Sequence, residues 1–236
     1  MQRKLIGALG VWLLAFGAVV AADFWEDKEF TSWSDREVQK MMTDSPWAKQ
    51  VNIIMGGLQA EESSQFTGGG FGVGGGGGGA VRGGRGGDGF GGIRRARVNV
   101  VWINALPVRQ AMVRGLVGRG GDVPPEGQQF LSEQDPFYTI AILGLPPAFQ
   151  ALGQMVNQVL AETMLKPDDR DPIPPIDIGF MREGDQSIRV MFMFPRDNPL
   201  TLDDREVEFI TKLGSEIEIK RKFRLRDMQV DGRLLL

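Results

Sequence analysis

The sequence predicts a single α+β domain with a mainly antiparallel or mixed sheet, a few packed helices and a disordered glycine-rich loop. Three observations predict it. Segments with a two-residue apolar period and segments with a helical period interleave without a regular strand-helix repeat, which argues against a doubly wound sheet. Two turn signals, Glu183 to Gln186 and Asp231-Gly232, mark hairpins. The chain of 236 residues is long enough for one substantial core.

The first element is not part of the domain. Arg3 and Lys4 precede an apolar run from Leu5 to Val20, and Val20-Ala21-Ala22 supplies the small residues that signal peptidase requires. This predicts a signal peptide over residues 1–22, cleaved after Ala22, and a secreted or periplasmic domain over 23–236. The alternative is a retained membrane anchor, since Leu5 to Ala22 is just long enough to span a thin bilayer. Downstream, no second apolar run of that length occurs.

In "FTSWSDREVQKMMTDSPWAKQVNIIM", Ser34 and Glu37 form a capping box, with Trp33 and Val38 at the staple positions, so a helix is predicted to start at Asp35. Ser45-Pro46 reads as a second N-cap opening one turn through Trp47, before the strand "VNIIM". Residues 68–92 contain 17 glycines in 25 positions and cannot bury enough apolar surface to offset their chain entropy. The segment matches G-x-G-x-x-G only as any glycine tract does, without a following Gly-Lys-Ser/Thr, and two arginines make "RGGRGG" a small footprint for RNA. A spacer or mobile surface loop is the reading kept, and nucleic acid is not expected as a partner.

After the tract, "RRARVNVVWIN" reads as a strand and "LPVRQAMVRGL" as a helix with Pro107 in its first turn. "PFYTIAILGLPP" is a short apolar strand, and "FQALGQMVNQVLAETML" has helical spacing at Leu152, Met155, Val156, Val159 and Leu160. "PPIDIGFMREGDQSIRVMFMFPR" is a hairpin. "LTLDDREVEFITKLG" reads as a helix capped by Thr201 or Asp203, with a Glu208 to Lys212 pair and Gly214 as its stop. In the final "EIEIKRKFRLRDMQVDGRLLL", Ile217, Ile219, Phe223 and Leu225 share one strand face while Glu216, Glu218, Lys220, Lys222, Arg224 and Arg226 share the other.

"WSDREVQKMMTDSPWAKQV", "NALPVRQA", "FPRDNPLTLDDREVEFITKLG" and "KRKFRLRDM" together resemble a family of exported bacterial proteins that is itself uncharacterised. The resemblance covers about half of residues 23–236 and includes both ends. It implies one domain in which the segments flanking the glycine tract belong together, and it implies no activity, cofactor or catalytic residue.

Composition excludes more than it assigns. The sequence has no histidine and no cysteine, so a thiol nucleophile, a serine-histidine-acid triad, an imidazole base and a Cys/His zinc site are ruled out. Eight serines fall in neither G-x-S-x-G nor S-x-x-K. A carboxylate-dependent polysaccharide hydrolase is the enzymatic alternative, drawing on Glu216 and Glu218, Asp203 and Asp204, or Asp168, Asp169 and Asp171. The plainer readings are helix-dipole and cross-strand pairing for the first two sets, and a solvated turn for "KPDDRDP", which lacks EF-hand spacing. No catalytic residue, metal site or cofactor is therefore assigned.

Two sets of residues are candidates for ligand or partner contact. Trp25, Trp33 and Trp47 lie among acids, as on a sugar-binding surface, although Trp33 and Trp47 also suit a core and Trp25 is the one expected to stay exposed. Lys220, Lys222, Arg224 and Arg226 could meet a polyanion or anionic surface, or simply keep a strand soluble. The function read from these features is a non-enzymatic binding or structural module for a macromolecular partner, an envelope protein or a glycan, with polyanion binding through the C-terminal hairpin as a further alternative.

Overall fold

The computed structural model describes residues 23–55, 94–214 and 217–236. The expected signal segment, the glycine tract and Glu216 lie outside the described residues.

Two short turns, α1 (Phe24–Asp27) and a 3-10 turn (Phe30–Ser32), lead into α2 (Asp35–Thr43). Ser34 caps α2 as its sequence requires: the Glu37 amide donates to Ser34 Oγ, and the Ser34 amide donates to Glu37 Oε2 at 2.8 Å. Strand β1 (Ala48–Met55) pairs with β2 (Arg94–Trp102) from Ala48↔Val101 to Met55↔Arg94. That ladder makes the two sides of residues 56–93 one hairpin. Then come α3 (Leu106–Val117), α4 (Pro125–Ser132), β3 (Phe137–Leu145), a 3-10 segment (Pro147–Gln154), α5 (Val156–Ala161) and β4 (Met164–Pro167). The hairpin β5 (Asp177–Arg182) and β6 (Ile188–Pro195), the hairpin β7 (Glu206–Leu213) and β8 (Ile217–Arg224), and the small ladder β9 (Gln229–Val230) and β10 (Arg233–Leu234) complete the chain.

These strands make a five-stranded sheet in the order β1-β2-β3-β6-β5 and a three-stranded sheet in the order β4-β7-β8, antiparallel throughout, so the fold is a single-domain α+β. The sheets pack face to face. Val98, Val100, Ile140, Ile142, Val190 and Phe192 from one and Val207, Phe209, Ile219 and Phe223 from the other belong to one core cluster, all fully buried. Rings lock the interface: Phe209 lies 5.5 Å from Phe192 and 6.3 Å from Phe194, and Trp102 lies 5.8 Å from Phe223. Burying each such side chain is worth about 1.5–3 kcal/mol before entropy is charged against it.

Four local expectations are corrected. Residues 206–213 form a strand rather than a helix. Thr201 and Asp204 do make a capping box, but it closes only the three-residue turn Leu202–Asp204, which Arg205 ends with a positive φ of 56°. Beyond it, Val207, Phe209, Thr211 and Leu213 alternate with half-buried or exposed residues, and docking against Phe192 and Phe194 rewards that period. Glu208 accordingly stands opposite Lys222, not one helical turn from Lys212. The predicted helix at 149–165 is split into the 3-10 segment and α5, and β4 begins at Met164.

Ser45-Pro46 opens a tight turn with a Ser45↔Ala48 bridge, and Ser45 Oγ accepts from the Trp47 amide, so no helical turn forms there. Finally, β8 pairs with β7. The Asp231-Gly232 turn, with φ of 50° and 72° as a type I′ turn requires, closes only the two-residue ladder β9–β10.

Candidate functional site: an arginine-lined cavity

Two of the segments singled out above, "NALPVRQA" and "FPRDNPL", meet at one cavity of about 620 Å³. Strand β2 ends at Trp102, and the next turn brings Asn104 against the start of β3. There Asn104 Oδ1 accepts the Thr139 amide at 2.6 Å, and its Nδ2 donates to Asp135 Oδ2. Asp135 Oδ1 also accepts the Phe137 amide at 3.0 Å, so this carboxylate is held on both oxygens.

One turn into α3, Arg109 Nη1 donates to the carbonyls of Phe130 at 2.8 Å and Glu133 at 2.6 Å. Those carbonyls belong to the end of α4, where a cation complements the helix dipole. The second guanidinium comes from Arg196, immediately after β6. It stacks 4.3 Å above the Tyr138 ring, and its Nη2 donates to the main-chain oxygen of Leu236. Tyr138 is fixed in turn, because its hydroxyl accepts the Leu200 amide at 2.8 Å. Leu106, Leu131 and Leu234 to Leu236 provide the apolar part of the lining, and Glu133 and Asp135 the acidic part.

Burial is the main cause that lowers the pKa of both arginines. For Arg109 the charges of Asp135 and Glu133 oppose it and that of Arg196 adds to it, so the two guanidiniums feel each other. Arginine remains protonated under such shifts. Each Nε–H is buried and has no acceptor among the described residues. A buried donor without a partner costs about 1–3 kcal/mol.

The residues expected from the sequence to contact a ligand lie elsewhere. Trp33 and Trp47 are fully buried, as a core role requires, and Trp25 is buried too at 8% exposure, against the expectation that it stays exposed. Trp25 packs edge-on against Phe24 and Trp47, and Lys40 sits 5.7 Å over its ring. The indole N–H groups are spent internally, Trp33 on Lys28 O and Trp47 on Leu235 O. Trp33 and Trp47 therefore present no ring face for a sugar to stack on.

Lys220, Lys222 and Arg224 do lie on the exposed face of β8, with Arg226 just beyond. Lys222 pairs with Glu206 at 2.8 Å, Lys220 with Glu218 at 3.0 Å and Arg226 with Asp227 at 3.4 Å, while Arg224 stands opposite Glu206 in the ladder. The middle residue of the same basic run, Arg221, turns inward and reaches Gln50 O at 3.4 Å, across to β1.

Where the Trp25 segment meets this hairpin there is a second cavity of about 630 Å³, whose lining includes two of the expected contact residues, Trp25 and Arg226, with Lys40, Lys49, Asp44 and Asp227. Lys49 is half-buried there, and that burial lowers its pKa against the pull of Asp44 and Asp227.

The carboxylates considered for hydrolysis are dispersed or neutralised. Asp168 and Asp169 face Arg205 at 3.7 and 2.8 Å, Asp204 pairs with Arg170 at 2.7 Å, and Asp203 and Asp171 are exposed. Among the described residues, no three acids converge to hold a metal ion, and no helix is long and apolar enough to cross a membrane.

Nothing in the sequence patterns marked Arg109, Asp135 or Arg196 as a set. The signal that could have flagged them is a charged residue inside an otherwise apolar run, as in "LPVRQAMV" and "MFMFPR". Compared with protein-family models, with curated proteins and with solved structures, the chain matches none.

Proposed function

We propose that this chain is an exported, non-enzymatic binding module of the bacterial envelope, and that it holds a macromolecular partner by an acidic group at the Arg109/Arg196 cavity. One observation carries this reading: two arginines, Arg109 and Arg196, line one open cavity. Planar forked donors of this kind suit a carboxylate or phosphate. The amino-terminal signal pattern supports export.

Polysaccharide hydrolysis draws no comparable support, because Asp168, Asp169, Asp204 and Glu218 are tied to arginine or lysine and Asp171 and Asp203 lie exposed. Polyanion binding through β8 draws less, because acids stand opposite or beside its bases.

The test is a thermal-shift screen of the purified chain against acidic peptides, anionic vesicles, heparin, neutral glycans and calcium. A ligand at a hundred times its Kd adds about 2.7 kcal/mol, a shift of several degrees. The expected result is a shift with a carboxylate-bearing ligand that Arg109→Met or Arg196→Met removes. A shift that survives both substitutions, or one seen only with neutral glycan, would overturn the assignment.

A further inference from the structure

We propose that the cavity between the Trp25 segment and the C-terminal hairpin binds a neutral, polyhydroxylated ligand, a small saccharide, with Lys49 as its central donor. The site is separate from the Arg109/Arg196 cavity and stands whatever that cavity holds. Three features select the ligand chemistry.

The first is where Lys49 stands. On β1 it shares a strand face with Val51 and Ile53 and lies opposite Val100, and all three of these neighbours are fully buried. Lys49 thus ends a core-facing row, with its stem packed at the mouth of the core and its amine reaching outward. The two carboxylates whose charge it feels, Asp44 and Asp227, both line the cavity, so the ammonium ends there. Among the described residues it has no hydrogen bond or ion pair. Burial lowers its pKa against the pull of those acids, as for a cation short of a partner.

The second is the mixed charge of the lining. Lys40, Lys49 and Arg226 face five carboxylates, those of Asp23, Glu26, Asp44, Asp227 and Asp231. Arg226 and Asp227 pair at 3.4 Å, but the other four acids have no such partner among the described residues. An anion would meet these acids, and a cation would meet the lysines. A hydroxyl donates to a carboxylate and accepts from an ammonium, so a ligand built of hydroxyls satisfies both signs.

The third is an apolar wall. Trp25 packs edge-on against Phe24 at 4.9 Å and Trp47 at 5.7 Å, keeps 8% exposure and lines this cavity. Aromatic surface beside convergent polar groups suits a sugar ring, which carries apolar C–H edges among its hydroxyls. The volume of about 630 Å³ is of the size that encloses small ligands, on the order of 300–1,000 Å³.

The experiment is trace acetylation of the purified chain, each lysine followed by mass spectrometry, alone and with about 20 mM methyl glucoside, methyl cellobioside, N,N′-diacetylchitobiose, glucuronate or choline. The expected result is at least about fivefold slower acetylation of Lys49 with a neutral sugar, the protection that a Kd of about 5 mM gives at that concentration, while Lys220 and Lys222 keep their rates. Arg109→Met should leave this protection unchanged, which separates the site from the arginine cavity. By calorimetry, Lys49→Met should bind the same sugar at least about tenfold more weakly.

Protection by glucuronate or choline but by no neutral sugar would overturn the ligand class. No protection by any probe, or equal slowing of Lys49 and Lys220, would overturn the site on the wild-type chain alone, whether or not the variants fold. Undiminished sugar binding by a folded Lys49→Met chain would overturn it as well.

Discussion

Arg114 Nε donates to the main-chain oxygen of Trp33 at 2.6 Å, so a guanidinium buried on α3 holds the chain at the entrance to α2. The same side chain pairs through Nη2 with Asp35 at 2.8 Å, but the Asp35 carboxylate is 96% exposed. The two contacts therefore differ in worth. Arg114→Met leaves a buried carbonyl unpaired and should cost about 2–4 kcal/mol, whereas Asp35→Asn should cost less than about 1 kcal/mol. Urea unfolding of the two variants decides this, and equal losses would refute the ranking.

The capping box of α2 carries a pH dependence. Glu37 is held down to a pKa of about 2 from 4.5, first by Lys28 and then by the Ser34 amide. A depressed carboxylate stabilises the fold fully above its unfolded value, and that contribution is lost as pH falls from about 4.5 toward about 2. Lys28 is half exposed, so screening limits the effect to about 1 kcal/mol. Glu37→Gln should flatten stability in that acid window, measured by denaturant melts at stepped pH; a slope matching wild type would count against it.

Phe209 is the strand residue that joins the sheets, touching Phe192 and Phe194. Phe209→Ala should cost about 3–5 kcal/mol through lost transfer energy and a residual cavity. The urea midpoint should fall with the m-value unchanged. A loss below about 1 kcal/mol would mean that the sheets close over the gap.

The outer face of β8 should be tolerant. Lys222 and Glu206 form an exposed pair that raises the lysine pKa, and Arg224 is exposed opposite Glu206. Lys222→Ala and Arg224→Ala should each change stability by less than about 1 kcal/mol. Any retention on heparin at low salt should vanish near physiological ionic strength. Retention persisting there and lost in these variants would revive the polyanion reading.

How far the sequence could be read varies along the chain. The Ser34/Glu37 box and Asp231-Gly232 were legible because a capping hydrogen bond and a pair of positive φ angles are local requirements, met within four residues. The segment 206–213 was not, because a genuine cap at Thr201 precedes a stretch compatible with either period; the facing sheet settled it. Trp25 was misjudged for a related reason: it precedes α2, and only packing against Phe24 and Trp47 buries it.

The sequence by itself determined the α+β class, through two interleaved periods, and excluded histidine and cysteine chemistry by composition. Only the tertiary structure decided which residues come together around a cavity. Asn104 and Arg109 meet Asp135, Arg196 and Leu236 because β2, β3 and β6 pair side by side and β10 ends nearby. That convergence follows from core packing across long sequence separations, which no local propensity encodes. The same packing leaves two arginine N–H groups without acceptors, a shortage that appears only once every neighbour is in place.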